Sequence, residues 1–282
     1  MSIRGVCPEC GAAVKAAILA IADPDSRILQ PIRLPRLVAA GTIGWIAGAL
    51  GAAIVCWLPH LVDLIELAGV RVVLPPVLWA SGLFCVLLSG LSAAVFIRPH
   101  ARIPLWQSVA AGLAVLMYIP LWSLLGQHLI DHDLVIADPV VSYWKPVWHD
   151  SLEVVWICVL IAAIFVLIRP NARLLVARSL LLRTGRVDRQ TLRAMAVSAV
   201  VIALGQVVGN ASVNATGPLG AIGMTLGVVL MAMGAGLLTI GLLGSLADAV
   251  RIARAIIRPT RTVKQIIREG AGRASAVGRA EG

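Results

Sequence analysis

The chain has 282 residues, 59% of them hydrophobic and 13% charged, with 24 Lys and Arg against 14 Asp and Glu for a net charge of +10. A soluble domain is about 45–50% apolar and 25% charged, so the apolar excess is more than one aqueous core can bury, and disordered, collagenous and disulfide-stapled classes are excluded with it. The composition is that of an all-α integral membrane protein, and the basic excess reports topology, an anionic membrane surface or nucleic acid according to where it sits.

Residues 1–36 precede the first apolar run and carry Cys7-Pro8-Glu9-Cys10-Gly11. They lack the basic n-region and short apolar core of a secretory signal, so no cleavable signal peptide is expected. The C-x-x-C spacing suits a zinc-ribbon knuckle, a tight turn whose two thiolates bind one metal ion; structural zinc takes four ligands, and a full ribbon supplies a second pair. No second pair follows. Cys56, Cys85 and Cys158 fall in or at the ends of apolar runs, where a thiol is an ordinary small apolar side chain. Three readings of Cys7 and Cys10 stand side by side: half of a four-cysteine zinc site shared by two protomers, a zinc site completed by a residue such as His100, and a ribbon turn without metal. A redox role is disfavoured, because no thioredoxin-like strand and helix surrounds the pair.

With Asp23-Pro24-Asp25 and Leu34-Pro35-Arg36-Leu37 leading into the first apolar run, this knuckle resembles the opening of uncharacterised multi-spanning membrane proteins of planctomycete-type bacteria, which join a CPECG-like ribbon to several hydrophobic helices. The resemblance runs from the knuckle into the first span. It implies a bacterial inner-membrane setting and brings no activity or site residue with it. The paraquat-inducible membrane proteins are similar in joining cytoplasmic ribbons to membrane helices, but they carry complete cysteine sets, from which the single knuckle here departs.

About 20 apolar residues cross the hydrocarbon core, and six uncharged runs predict six transmembrane helices: 37–58, 72–97, 103–126, 152–168, 194–213 and 218–247. The fourth is short, and Val147 and Trp148 extend it into the interface; the sixth is long enough to tilt or to project past the headgroups. Ile97-Arg98-Pro99, Ile168-Arg169-Pro170 and Ile257-Arg258-Pro259 each follow an apolar run, and the first two continue to Arg102 and Arg173. The arginine marks the headgroup boundary and the proline discourages further helix. The recurrence is either a duplication or a boundary signal met three times, and both fit three out-and-back hairpins making a domain over 37–247.

In lipid, helices associate through close approach of small residues. Gly44 and Gly48, Gly205 and Gly209, and Gly223 and Gly227 have the four-residue spacing of a flat helix face, with Gly41, Gly51, Gly220, Gly234, Gly236, Gly241 and Gly244 adding to it. Helices one, five and six are therefore expected to pack tightly. Apart from Glu153 at an edge, the spans hold no ionisable group, which argues against ion-coupled transport; a small-solute permease without ion coupling is disfavoured by the few polar residues along any span. Gln206, the one large amide well inside a span, is expected to bridge helices.

The loop between the third and fourth spans is flanked by His128 and His132 and by His149 and Glu153, each pair four residues apart and so on one helix face. With His60, Asp63, Glu66, Asp131, Asp133, Asp138 and Asp150 they form either a zinc, manganese or iron site or a solvated acidic rim anchored by Trp57, Tyr143, Trp144 and Trp148. No HExxH, Walker or GxSxG motif accompanies them, and haem is disfavoured because the histidines sit at helix ends. Asn210-Ala211-Ser212 and Asn214-Ala215-Thr216 are formal sequons read as a polar turn. The tail, 248–282, interleaves Arg251, Arg254, Arg258, Arg261, Lys264 and Arg268 with isoleucines and valine, the pattern of an amphipathic helix on anionic headgroups. The stretch Arg178 to Arg193 is read in the same way. No nucleic-acid-binding module is recognisable, so nucleic acid is not an expected partner.

Six spans put 22 of the 24 Lys and Arg on one side, leaving Arg71 and Lys145 on the other; with seven acidic residues on each side, the faces carry +15 and −5. By the positive-inside rule both termini are cytoplasmic. The expected function is that of a noncatalytic scaffold, assembly or partner-binding component, with a homodimer or protein partner engaged through the knuckle and anionic lipid at the cytoplasmic face. The alternative is metal binding or a metal-dependent activity at the outer face. Single-cysteine labelling at Gln30, Val135, Gly185 and Ser275 is expected to mark only Val135 from outside; any other pattern rejects the six-span topology.

Overall fold

In lipid no water completes a backbone hydrogen bond, so an apolar run of spanning length folds as a helix that pairs its own N–H and C=O groups. A computed structural model describes residues 32–66, 77–100, 103–136, 151–182, 191–213, 215 and 217–257, and among them the regular structure is helical. The helices are α1 (Pro35–Glu66), α2 (Val77–Ala93), which tightens into a 3-10 turn over Ala94–Phe96, α3 (Leu105–Leu116), α4 (Tyr118–Ile136), α5 (Ser151–Leu182), α6 (Thr191–Val213) and α7 (Pro218–Ile257). Six stretches are long and apolar enough to cross a membrane, α3 and α4 together supplying the third. Large apolar side chains stand exposed along them, among them Leu91 at 77%, Leu219 at 78% and Ile240 at 67%, a surface suited to lipid and not to water. The chain is a multi-pass membrane protein.

Several helix ends depart from the uncharged limits of the sequence. Pro120 offers no N–H to the Leu116 carbonyl, and the third span is interrupted at Met117, where bonds from Met117 N to Leu113 O (3.0 Å) and from Leu121 N to Met117 O (3.2 Å) carry the chain through. Ile97-Arg98-Pro99 does end a helix, but α5 runs past Arg169-Pro170 to Leu182. Proline at this position removes one backbone bond, while Asn171, Ala172 and Leu175 beyond it are buried against the bundle and hold the helix on course. Likewise α7 continues to Ile257, burying Ala249, Ile252, Ala253 and Ile256 at helical spacing. Arg251 and Arg254 are therefore exposed positions on the span helix itself, and the rest of the basic tail lies outside the described residues.

Two glycine seams set how closely the helices approach. A Cβ placed on Gly41 or Gly44 of α1 would meet Val95 or Ser92, one on Gly48 would lie 2.6 Å from the Cys85 carbonyl oxygen, and one on Gly51 would meet the Cys85 sulfur. Rising numbers on α1 meet falling numbers on α2, so the pair is antiparallel. On the second seam Gly205 faces the Gly227 carbonyl and Met231, Gly227 faces Gly209, Gly234 faces Ser198 and Ile202, and Gly241 faces Met195. Gly223 abuts Ser212. Thus α6 and α7 are also antiparallel. The glycines of α1 serve α2, while α1 also packs on α7, where Trp57 Nε1 donates to Thr239 Oγ1 at 2.9 Å. The link from α6 to α7 turns at Gly217, whose φ of +81° is cheap for glycine, and Pro218 follows as the first helical residue. The first sequon, Asn210 to Ser212, forms the end of α6 rather than a turn.

Gly48→Ala and Gly205→Ala would each set a methyl against backbone of a neighbouring helix, whereas a Cβ on Gly236 meets nothing within 4 Å. The first two substitutions are expected to cost about 1–3 kcal/mol through overpacking and to lower the thermal aggregation midpoint in detergent. Gly236→Ala is expected to leave it unchanged; equal effects from all three would reject the seams.

Candidate functional site

Among the described residues two polar clusters lie within the bundle. The first centres on Trp45 of α1, which is 3% exposed. Its Nε1 donates to the Tyr118 hydroxyl at 2.8 Å, the Ser89 hydroxyl donates to the Trp45 carbonyl at 2.8 Å, and Ser89 Oγ and Tyr118 Oη are 3.0 Å apart. Ser89 has one hydrogen, and a carbonyl only accepts. The Tyr118 proton therefore goes to Ser89, and the three residues close a one-way ring: indole N–H to tyrosine, tyrosine to serine, serine to the backbone of the tryptophan. The Trp45 ring also meets Phe96 and Phe165 edge-on, with centroids 5.0 and 6.0 Å away. Gly90 leaves room for Tyr118, whose ring Cγ would lie 2.9 Å from a Cβ there.

The second cluster lies where Ile97-Arg98-Pro99 turns the chain out of helix. Leaving the helix strips the Phe96 carbonyl of the N–H four residues on that an α-helix would supply. Asn171, fully buried on α5, fills the vacancy: its Nδ2 donates to the Phe96 carbonyl at 2.6 Å and to the Gln107 carbonyl at 3.1 Å. On the other side of the turn, Arg33 N donates to Pro99 O at 3.0 Å, and Ile32 makes an antiparallel bridge with His100, which is 2% exposed. The segment leading into α1, the end of α2, the start of α3 and the middle of α5 thus meet in one place. The Oδ1 of Asn171 and the Oε1 of Gln107 are shielded there without a hydrogen-bond partner.

The residues singled out from the sequence fall elsewhere. His128 is half-buried on α4 and Glu153 half-buried in the first turn of α5. His132 is on α4, but its side chain lies outside the described residues, as does that of His60, and His149 lies outside them altogether. Cys7 and Cys10 are also outside them. Among the described residues no three His, Cys, Asp or Glu side chains gather as a metal-holding group. Gln206 is buried on α6, while among the described residues hydrogen bonds between helices involve Trp45, Ser89, Tyr118, Trp57, Thr239 and Asn171, with a long contact from Ser245 Oγ to Met195 Sδ at 3.9 Å between α7 and α6. Asn171 had a signal in the sequence: Ile-Arg-Pro-His-Ala-Arg from Ile97 and Ile-Arg-Pro-Asn-Ala-Arg from Ile168 share a buried polar fourth residue.

No protein-family model, curated protein or solved structure matches this chain.

Tyr118→Phe leaves the Trp45 N–H and one Ser89 lone pair unfilled and is expected to destabilise the bundle by about 1–3 kcal/mol. In a double-mutant cycle with Trp45→Phe, measured by reversible denaturation in mixed micelles, the two losses are expected to couple by about 0.5 kcal/mol or more. Additive losses would reject the ring.

Proposed function

We propose that this chain is a noncatalytic scaffold or assembly component of a bacterial inner membrane, folded as three hairpins with both termini cytoplasmic. It docks a second copy of itself, or another protein, through the knuckle at Cys7 and Cys10. The observation that carries this reading is the closed Trp45–Tyr118–Ser89 ring. Its donors are used to join one helix to another, and the polar side chains of a transport path or an active site would instead face a cavity. Asn171 is used in the same way, both of its amide hydrogens going to backbone carbonyls. Such a bundle presents a fixed platform to the membrane and leaves recognition to the segments outside it. The 22 basic residues on the proposed cytoplasmic side support the orientation.

Two thiolates are half of a structural zinc set, so a knuckle shared between chains supplies its other half from a partner. Purification of the full chain from its membrane in mild detergent is expected to recover zinc together with a dimer or a stoichiometric protein partner. Cys7→Ser and Cys10→Ser are expected to release both. A divalent ion retained in those variants and lost from His128→Ala with His132→Ala would replace this reading by a metal site on the other face. A zinc-free monomer without partner would reject the docking role.

A further inference from the structure

Arg169 and Arg173 stand four residues apart on α5, so they share a helix face, and Arg193 lies in the first turn of α6, which packs against α5. The charges of Arg173 and Arg193 both act on Arg169. Three like charges at one seam are unfavourable unless an anion joins them. The ion pair of Arg251 with Asp248 at 3.2 Å lies within α7 and does not involve these three arginines. The Nε–H of Arg169 is shielded from solvent and has no acceptor. A shielded N–H donor without a partner is costly, and a phosphate oxygen suits it, because the planar guanidinium fork meets tetrahedral oxygens two at a time. The start of α6 adds the positive end of its helix dipole on the same side as Arg193.

We propose that Arg169, Arg173 and Arg193 form an interhelical site for a phosphate-bearing anion, supplied by the headgroup of an anionic phospholipid at the arginine-rich end of the bundle. Basic pockets between membrane helices take such headgroups. Arg169 and Arg173 fall in the last two turns of the span Leu152–Leu175, and Arg193 in the first turn of the span Thr191–Ser212, so the trio lies at the ends of its spans, where lipid phosphates lie. This goes beyond the scaffold reading and rests on it only for the leaflet in which the lipid sits, which labelling at Gly185 tests separately.

The test uses the full chain, delipidated in neutral detergent and titrated with phosphatidylglycerol, with phosphatidylcholine, and with inorganic phosphate, bound anion being counted by native mass spectrometry. Wild-type protein is expected to retain phosphatidylglycerol over phosphatidylcholine. Arg169→Gln with Arg173→Gln is expected to weaken retention by about 30-fold, from roughly fivefold per arginine near an anionic surface. Arg251→Gln with Arg254→Gln removes the same charge from α7 and is expected to change little. Arg169→Lys with Arg173→Lys, which keeps charge but not the fork, is expected to fall between, and its elution as folded protein guards against simple misfolding. Retention of inorganic phosphate as tightly as the lipid, with the same arginine dependence, would support the site but assign it to a soluble anion. Equal losses from the two glutamine pairs, or no loss from either, would overturn it.

Discussion

An indole N–H buried among membrane helices has no water to turn to, and that of Trp45 finds its acceptor 73 residues away on Tyr118. Because the tyrosine must then pass its own proton to Ser89, and the serine its proton to the Trp45 backbone, the positions of α1, α2 and α4 are set by one another. Phe96 and Phe165 close on the same indole, which adds the 3-10 turn and α5. Glycine at 90 belongs to the same arrangement, since any side chain there would push the Tyr118 ring out of the circuit.

The remaining helices are fastened differently. Lipid tails are as apolar as leucine, so burying one more leucine between helices gains little, and contact distance takes over as the organising quantity. Between α6 and α7 that contact is backbone on backbone, Gly205 against the Gly227 carbonyl and Gly227 against Gly209. Between α1 and α7 it is supplemented by the Trp57 to Thr239 bond, in which the threonine hydroxyl also donates to the Ala235 carbonyl of its own helix. Directional bonds and close packing act together between α1 and α2, where the glycine seam lies beside the Trp45 ring, while α6 and α7 meet chiefly by close packing.

The existence of the six spans was legible because length and apolarity alone decide whether a segment can cross. Their ends were not, because the first charged residue is where an uncharged window stops and not where a helix must. Arg169 and Pro170 ended the predicted fourth span, yet α5 continues under the burial of Asn171, Ala172 and Leu175. The glycine spacing pointed to close packing but not to the partner of each helix, which is why Gly44 and Gly48 prove to face α2. The Trp45 ring left no local trace, since its members come from three spans and each looks like a stray polar residue in its own. Asn171 was legible only by aligning the two hexapeptides and asking what their fourth residues share.

That comparison bears on how the protein is made. The two hexapeptides behave oppositely, the first ending a helix and the second lying within one, and it is Asn171 of the second that caps the carbonyl exposed by the first. A chain threaded into the bilayer from its N-terminus must hold the Phe96 carbonyl, and the edge of the Trp45 indole that Phe165 later covers, unfilled while the next seventy or so residues are synthesised. The early spans thus stay incomplete until α5 arrives, and a lineage that duplicated such a segment would have acquired, in the later copy, the piece that lets the earlier one finish folding.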